Sequence, residues 1–332
     1  MRAKIRPRIQ LEDREPLDKA IPLSTPWVIF VDPSDVCNFR CKFCPSSDRE
    51  LLKSVGRPLK LMQFPLYKKI VDDICEFEKP IKVLRLYLHG EPLMNPRFSD
   101  MVKYAKDSGC CDKIDTTTNA NLLNPKRTYN IIKAGLDRIN ISIEGINEQQ
   151  YLDFSNVKIN FRRLVRNIRF FYNQRKDCEV FIKICGDSLS EEDKQKFYDI
   201  FGDICDGIFI EHTMNCWNGF DGPKQNEEVG IYGQPIKEVM VCPYVFYSIS
   251  INSDGTVSAC FLDWNRKLFI GDVRKKSIKD IWNGTFLSAY RYMFLIKERK
   301  NHNVCGKCSQ LSHGMPVDLD YKAKEILQRF LK

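Results

Sequence analysis

Between residues 27 and 212, short β-rich runs alternate with amphipathic helical runs, and no other feature narrows the fold as much. The expected strands cover residues 27–31, 82–89, 113–118, 136–143, 179–184 and 207–211. The expected helices cover 65–77, 97–106, 124–134 and 190–201, with a long helix inside 148–174. Pro65 suits a first helical turn, Ser190 an N-cap, and Gly109 and Gly135 follow helix ends. Repeated strand–helix units imply parallel strands joined by right-handed crossovers. Within the strands, side chains alternate faces. Leu84, Leu86 and Leu88 oppose Arg85, Tyr87 and His89; Ile139, Ile141 and Ile143 oppose Asn140, Ser142 and Glu144; Val180, Ile182 and Ile184 oppose Glu179, Phe181 and Lys183. The apolar face must pack on helices. Parallel strands are rarely covered on one side only, so the polar face is expected to line a barrel interior that holds a ligand.

The loop after the first strand reads Cys37-Asn38-Phe39-Arg40-Cys41-Lys42-Phe43-Cys44, a C-x3-C-x2-C spacing. Three thiolates that close can hold three irons of a cubane. Such a cluster otherwise takes four cysteines, so the loop implies one iron open to an outside ligand. A structural zinc site prefers two ligand pairs and fits this spacing poorly.

The loop resembles the cluster loop of the radical S-adenosylmethionine (radical SAM) enzymes. In that family the open iron binds SAM, whose reductive cleavage yields a 5′-deoxyadenosyl radical that takes hydrogen from a substrate. The resemblance implies a SAM-binding 4Fe-4S cluster on Cys37, Cys41 and Cys44, with Phe43 near the adenine. Gly90-Glu91-Pro92, ending the second strand 46 residues after Cys44, matches the turn that binds the SAM amino group. Thr118 and Asn119, Ser142, and Glu144 end the next two strands, where the family contacts SAM's carboxylate or ribose. Ile184-Cys185-Gly186 matches the adenine-binding pattern only in part, so no adenine contact is assigned there. The implied fold is α/β, a partial (β/α)6 TIM-like barrel with its site at the C-terminal strand ends.

A second cysteine set, Cys242, Cys260, Cys305 and Cys308, follows the barrel. Asp254-Gly255 between alternating runs marks a hairpin. The pattern C-x12-G-x4-C with a final C-x2-C resembles the SPASM/twitch auxiliary domain. No cysteine follows Cys308, which suits the shorter, twitch-like version with one fully ligated auxiliary 4Fe-4S cluster. A four-thiolate structural zinc is the alternative. The expected organisation is an N-terminal extension (1–25), the barrel (26–215), a linker (216–241), a small β-hairpin/helix auxiliary-cluster domain (242–310) and a C-terminal helix (311–332). That last helix would bury Ile326, Leu327 and Phe330.

The chain has 332 residues, 43% hydrophobic and 29% charged, which reads as soluble and globular. No run reaches a membrane span, and the basic N-terminus has no secretory apolar region. Fourteen cysteines without a leader point to a reducing, cytoplasmic setting. A net charge of +9 suits a phosphate-bearing substrate or simply solubility. Because the basic residues are dispersed, nucleic-acid binding is not expected. Cys75, Cys110, Cys111, Cys178 and Cys205 read mostly as small buried hydrophobes, whereas Cys185 and Cys216 fall near strand ends at the barrel mouth.

A fully ligated auxiliary cluster can accept a second electron, which favours oxidation. By resemblance, the expected reaction is dehydrogenation of a sugar or aminocyclitol alcohol. A flavodoxin- or ferredoxin-type reductant is the implied partner. Lys183, Glu211 and His212 are candidate bases by position, and Arg85, Tyr87 and Trp217 candidate substrate contacts. The alternatives are a peptide- or protein-modifying SPASM maturase and an epimerase with Cys185 or Cys216 as hydrogen donor. The roughly 25 residues before the barrel are too few for a winged-helix leader-binding domain.

Overall fold

The computed structural model describes residues 1–10, 15–214, 216–222 and 226–331. The expected barrel boundary at 215 and parts of the expected N-terminal, linker and C-terminal segments lie outside the described residues. Ten strands form one sheet: β1 (Lys4–Ile5), β2 (Val28–Val31), β3 (Ile81–Arg85), β4 (Cys111–Thr118), β5 (Arg138–Ile143), β6 (Glu179–Cys185), β7 (Gly207–Glu211), β8 (Ser248–Ile251), β9 (Thr256–Ser258) and β10 (Phe269–Asp272). Their order is β1-β7-β6-β5-β4-β3-β2-β8-β9-β10.

The six expected strands are β2 to β7, neighbours in sequence order and parallel throughout. The helices between them start and stop where the sequence signals stand. Asn124 caps Pro125–Ala134 by accepting from the Arg127 amide, and Ser190 caps Glu191–Phe201 by accepting from the Asp193 amide. Gly109 and Gly135 end their helices in the left-handed region, at φ 66° and 88°, which costs a glycine little.

The expected helix within 148–174 is two helices, Glu148–Ser155 and Phe161–Gln174. Asn156 turns left-handed at φ 52° and ends the first; Asn160 accepts from the Arg163 amide and starts the second. The expected strand 82–89 ends at Arg85, because the chain then turns so that the Glu91 amide can donate to Val36 O.

Two pairings extend the sheet beyond the barrel strands. β1 pairs with β7, tying the N-terminus to one edge. β8 pairs in parallel with β2 and then turns through Gly255 (φ 88°) into antiparallel β9, so the auxiliary region continues the barrel's own sheet. The C-terminal helix is Ala323–Phe330, with Ile326 fully buried. Arg329 from this helix donates to Ile21 O at 2.6 Å, closing the chain ends on each other.

Ile139, Ile141, Val180, Ile182 and Leu84 face the helices in the main core. The opposite face holds Arg85, Asp115, Asn140 and Lys183. No helix among the described residues is long and apolar enough to cross a membrane.

Candidate active site

The loop of Cys37, Cys41 and Cys44 leaves the end of β2 and folds back on itself, with the Cys44 amide donating to Cys41 O at 2.9 Å. Burial pushes the Cys37 thiol up to about 12, with Glu91 and Cys44 adding to the effect. Cys41 is raised well above its usual range by burial, then by Glu144 and its sister thiols, and Cys44 is raised by burial. Thiols gathered in this way resist ionisation unless a cation lies among them. Bound iron supplies that charge, so the donor set fits a thiolate-ligated cluster.

Gly90 is fixed by close approach. A Cβ there would lie 1.9 Å from Ser34 O and 2.5 Å from Val36 O. The approach is to the chain's own stretch leading into the cysteine loop, and Ser46 Oγ reinforces it by donating to His89 O at 2.8 Å. Glu91 and Pro92 follow. The Glu91 carboxylate accepts from Thr118 Oγ1 at 2.6 Å, Leu93 N at 3.0 Å and Asn119 N at 2.9 Å. Burial raises its pKa against these hydrogen bonds. Thr118 Oγ1 also accepts from Ala120 N at 3.0 Å, so its one hydroxyl hydrogen is already given to Glu91. Asn119 Nδ2 donates to Asn38 Oδ1 at 2.9 Å, and its nearest sulfur is Cys37 Sγ at 3.9 Å. Glu91, Thr118 and Asn119 thus form one buried knot that ties β4 to the cysteine loop.

Phe43, Ser142, Glu144, Lys183, Cys185, Glu211, His212, Cys216 and Trp217 are brought together around a cavity of about 200 Å³ at the C-terminal strand ends. Burial raises the Glu144 carboxyl to about 7, with Lys183 opposing. Lys183 is ion-paired with Glu211. Burial works to lower its pKa, but Glu211 and the hydrogen bond to it turn the net shift upward. Arg85 and Tyr87 lie deeper. Tyr87 OH accepts from Arg85 Nη1 at 2.9 Å and from Arg8 Nη1 at 3.1 Å. The two guanidiniums lower the phenol's pKa despite its burial.

His212 Nδ1 lies 2.5 Å from Asp187 Oδ1. Asp187 also accepts from the Thr213 amide at 2.6 Å and from the Thr213 hydroxyl. Burial would raise Asp187; these hydrogen bonds and His212 hold it below the usual carboxylate range. Sequence reasoning found His212 but missed Asp187, which stands 25 residues away in the loop after β6. The only hint was the Gly186-Asp187 step closing that strand. It also missed Arg8, and the buried charges beneath the cysteine loop, where Arg57 Nη2 lies 2.7 Å and Arg266 Nη2 3.2 Å from Asp35 Oδ1.

Cys242, Cys260, Cys305 and Cys308 line a second cavity, of about 50 Å³. Burial pushes Cys305 up to about 12 and raises the other three. A zinc ion needs its sulfurs about 2.3 Å from one point. Four thiols lining one cavity also match, by donor type and number, a fully ligated iron–sulfur group. Cys216 lines both this cavity and the larger one. Its thiol is pushed up to about 12 by burial, then by Cys308 and Cys44, one from each cysteine set. Every cysteine is free, and of the remaining set only Cys75 is exposed.

The family model described as the radical SAM superfamily matches residues 31–199. A model described as an iron–sulfur cluster-binding domain, SPASM, matches residues 242–309. The S-adenosyl-L-methionine-dependent 2-deoxy-scyllo-inosamine dehydrogenase of Niallia circulans is 20% identical over 294 residues, which span 89% of this chain and 97% of that protein. The solved structure of BtrN in complex with AdoMet and 2-DOIA superposes with a TM-score of 0.58 at 19% identity, covering 89% of this chain and 97% of that one. Streptococcus suis SuiB bound to precursor peptide SuiA gives a TM-score of 0.62 at 14% identity, covering 83% of this chain and 69% of that one. At these identities the structural likeness is one of fold.

Proposed function

The chain belongs to the radical SAM superfamily and carries a SPASM-type auxiliary domain, and from that premise we propose that it dehydrogenates a secondary alcohol of a small sugar-like or aminocyclitol molecule. Its cofactors are SAM, a SAM-binding 4Fe-4S cluster and an auxiliary iron–sulfur cluster. We assign the first cluster to Cys37, Cys41 and Cys44, and the auxiliary one to Cys242, Cys260, Cys305 and Cys308. Bound there, these groups supply hydrogen abstraction from carbon and an acceptor for a second electron.

The shared wall at Cys216 carries this reading. It sets the substrate cavity directly against the auxiliary cysteines, so an electron leaving the substrate has a short path. Ketone formation also releases the hydroxyl proton. Lys183 is bound to Glu211 and its pKa is raised, which makes it a poor acceptor. His212 is the better one. Asp187 and Asn226 both lie at Nδ1, and Nε2 has no hydrogen-bond partner among the described residues. We assign Phe43, Ser142 and Glu144 to direct contact with SAM. By resemblance to the family we assign Gly90, Glu91 and Pro92 to the SAM amino group and Thr118 and Asn119 to its carboxylate or ribose. Trp217, with the apolar Met214 and Ile231, gives the cavity a flat side suited to a ring. Fourteen unpaired cysteines suit the cytoplasm.

The test uses the Cys305→Ala/Cys308→Ala variant on a panel of polyols and aminocyclitols, 2-deoxy-scyllo-inosamine included. The expected result is retained 5′-deoxyadenosine and lost ketone. Full ketone formation would refute the reading. A second reading, epimerisation, is favoured by one observation: Cys185 and Cys216 both line the substrate cavity as possible hydrogen donors. Deuterium entering recovered product from D2O, lost on Cys216→Ala or Cys185→Ala, would support it.

A further inference from the structure

The outward face of the helix Phe161–Gln174 carries Arg162, Arg163, Arg166 and Arg169, all exposed. Their side chains make no hydrogen bond or ion pair with the described residues. Elsewhere surface helices pair their charges within one turn, as in Lys103 with Asp107, Lys196 with Glu192 and Lys322 with Glu325. Here like charges recur at i, i+4 and i+7, which destabilises a helix. Arg162 and Arg163 also stand in the first turn, where the helix dipole disfavours cations and the turn itself carries no acidic residue. The nearby acids are exposed but engaged: Glu148 accepts from the Phe161 amide at the helix start, and Asp153 from Gln149.

The preceding helix, Glu148–Ser155, ties the start of this one to the cysteine loop. The Arg40 amide donates to Ser155 O at 2.9 Å and the Lys42 amide to Phe154 O at 3.0 Å. Asn156 Nδ2 donates back to Arg40 O at 3.1 Å. The end of one helix therefore rests on the loop, and residues 157–160 lead from it straight into the arginine row. Lys42, between Cys41 and Cys44, and Lys158 add exposed charge along the same path.

We propose that Lys42, Lys158, Arg162, Arg163, Arg166 and Arg169 form the docking surface for an acidic one-electron carrier protein that reduces the group held by Cys37, Cys41 and Cys44. The carrier loses one electron and the iron–sulfur group gains it; no covalent bond is made or broken. Complementary charge guides such an encounter and makes it salt-dependent. The inference rests on the assignment of that cluster to the three cysteines, and not on the substrate.

The probe is reduced flavodoxin, and the protein is the cluster-loaded full chain. Binding is measured by calorimetry at 50 and 500 mM salt, and cluster reduction is followed optically with flavodoxin or with dithionite. The variants are Arg162→Glu/Arg166→Glu and the milder Arg162→Gln/Arg166→Gln, checked for unchanged melting. The wild type is expected to bind at least tenfold more weakly at high salt. The Glu variant is expected to lose at least tenfold at 50 mM, and the Gln variant less. Dithionite reduction should be unchanged in all three. Wild-type flavodoxin binding and reduction in the variants would overturn the proposal. So would a salt-dependent affinity for a single-stranded RNA 20-mer that the variants lose while flavodoxin is unaffected. Normal reduction by both donors with no ketone from any polyol would defeat the dehydrogenase reading and leave the docking surface standing.

Discussion

Oδ1 of Asp187 lies 2.5 Å from Nδ1 of His212, joining the loop after β6 to the end of β7 at the edge of the substrate cavity. Asp187 is held ionised by the Thr213 amide, the Thr213 hydroxyl and His212 itself; Asn226 Nδ2 also lies 3.0 Å from Nδ1, and in the tautomer where Nδ1 donates to Asp187, Nε2 is left to take a proton. Asp187→Asn removes that control and His212→Gln removes the base. Both are expected to lower ketone formation by about 10²- to 10⁴-fold. 5′-deoxyadenosine release should continue, so the ratio of the two products, followed by mass spectrometry, reads the effect. An unchanged ratio in both variants would return the proton to Lys183 or Glu211.

Glu144 gives the site a pH dependence with a definite sign. Burial lifts its pKa to about 7, so it is mostly protonated at pH 6 and mostly ionised at pH 8. On the proposed contact, an ionised carboxylate would accept from SAM's ribose hydroxyls, and hydrogen bonds to charged groups contribute about 1.5–3 kcal/mol. SAM affinity should therefore rise by roughly tenfold from pH 6 to pH 8 and then level off. Equilibrium dialysis against SAM measures it. In Glu144→Gln the profile should be flat at the weaker value.

Gly90 predicts a fold defect. An alanine Cβ would overlap Ser34 O and Val36 O, both backbone atoms, so no side-chain rotation relieves the clash. Overpacking of this severity costs about 3 kcal/mol or more, measurable by urea unfolding of Gly90→Ala. The conservative Glu91→Gln should cost less, since its amide oxygen still accepts from two of the three donors. Cluster loading should fall in Gly90→Ala, because the displaced atoms lead directly into Cys37.

These sites differ in how far the sequence discloses them. β7 keeps its expected bounds, 207–211, and the caps at Asn124, Gly135 and Ser190 act where they stand, because each depends only on residues within one turn. The break at 156–160 was harder to read, since its local marks are only the left-handed turn at Asn156 and the cap at Asn160. β1 is two residues long and has no period to read; it exists because β7 offers it an edge 203 residues away. The two cysteine sets stand out because their spacing is itself a chemical pattern. Asp187, Arg8 and Asp35 do not, since each acquires a role only from a partner that the fold supplies.

Asp35 tests how far the two cysteine regions depend on each other. Its carboxylate and the Arg57 guanidinium are both wholly buried, at 2.7 Å. Oδ2 accepts from the Leu59 amide at 3.1 Å, and Arg266, six residues beyond Cys260, reaches in to Oδ1 at 3.2 Å. One carboxylate thus balances an arginine from the barrel and one from the auxiliary region. Removing a single partner of a buried pair strands the other charge at a cost of about 3–5 kcal/mol. Asp35→Ala should lose that much in urea unfolding, and Asp35→Asn somewhat less. Arg266→Met should cost less still, because Arg57 keeps its partner. Iron content then separates two roles for Asp35. If Asp35→Ala lowers the iron retained by both cysteine sets, the charge cluster joins the regions. If only the iron of the first set falls, Asp35 serves the cysteine loop alone.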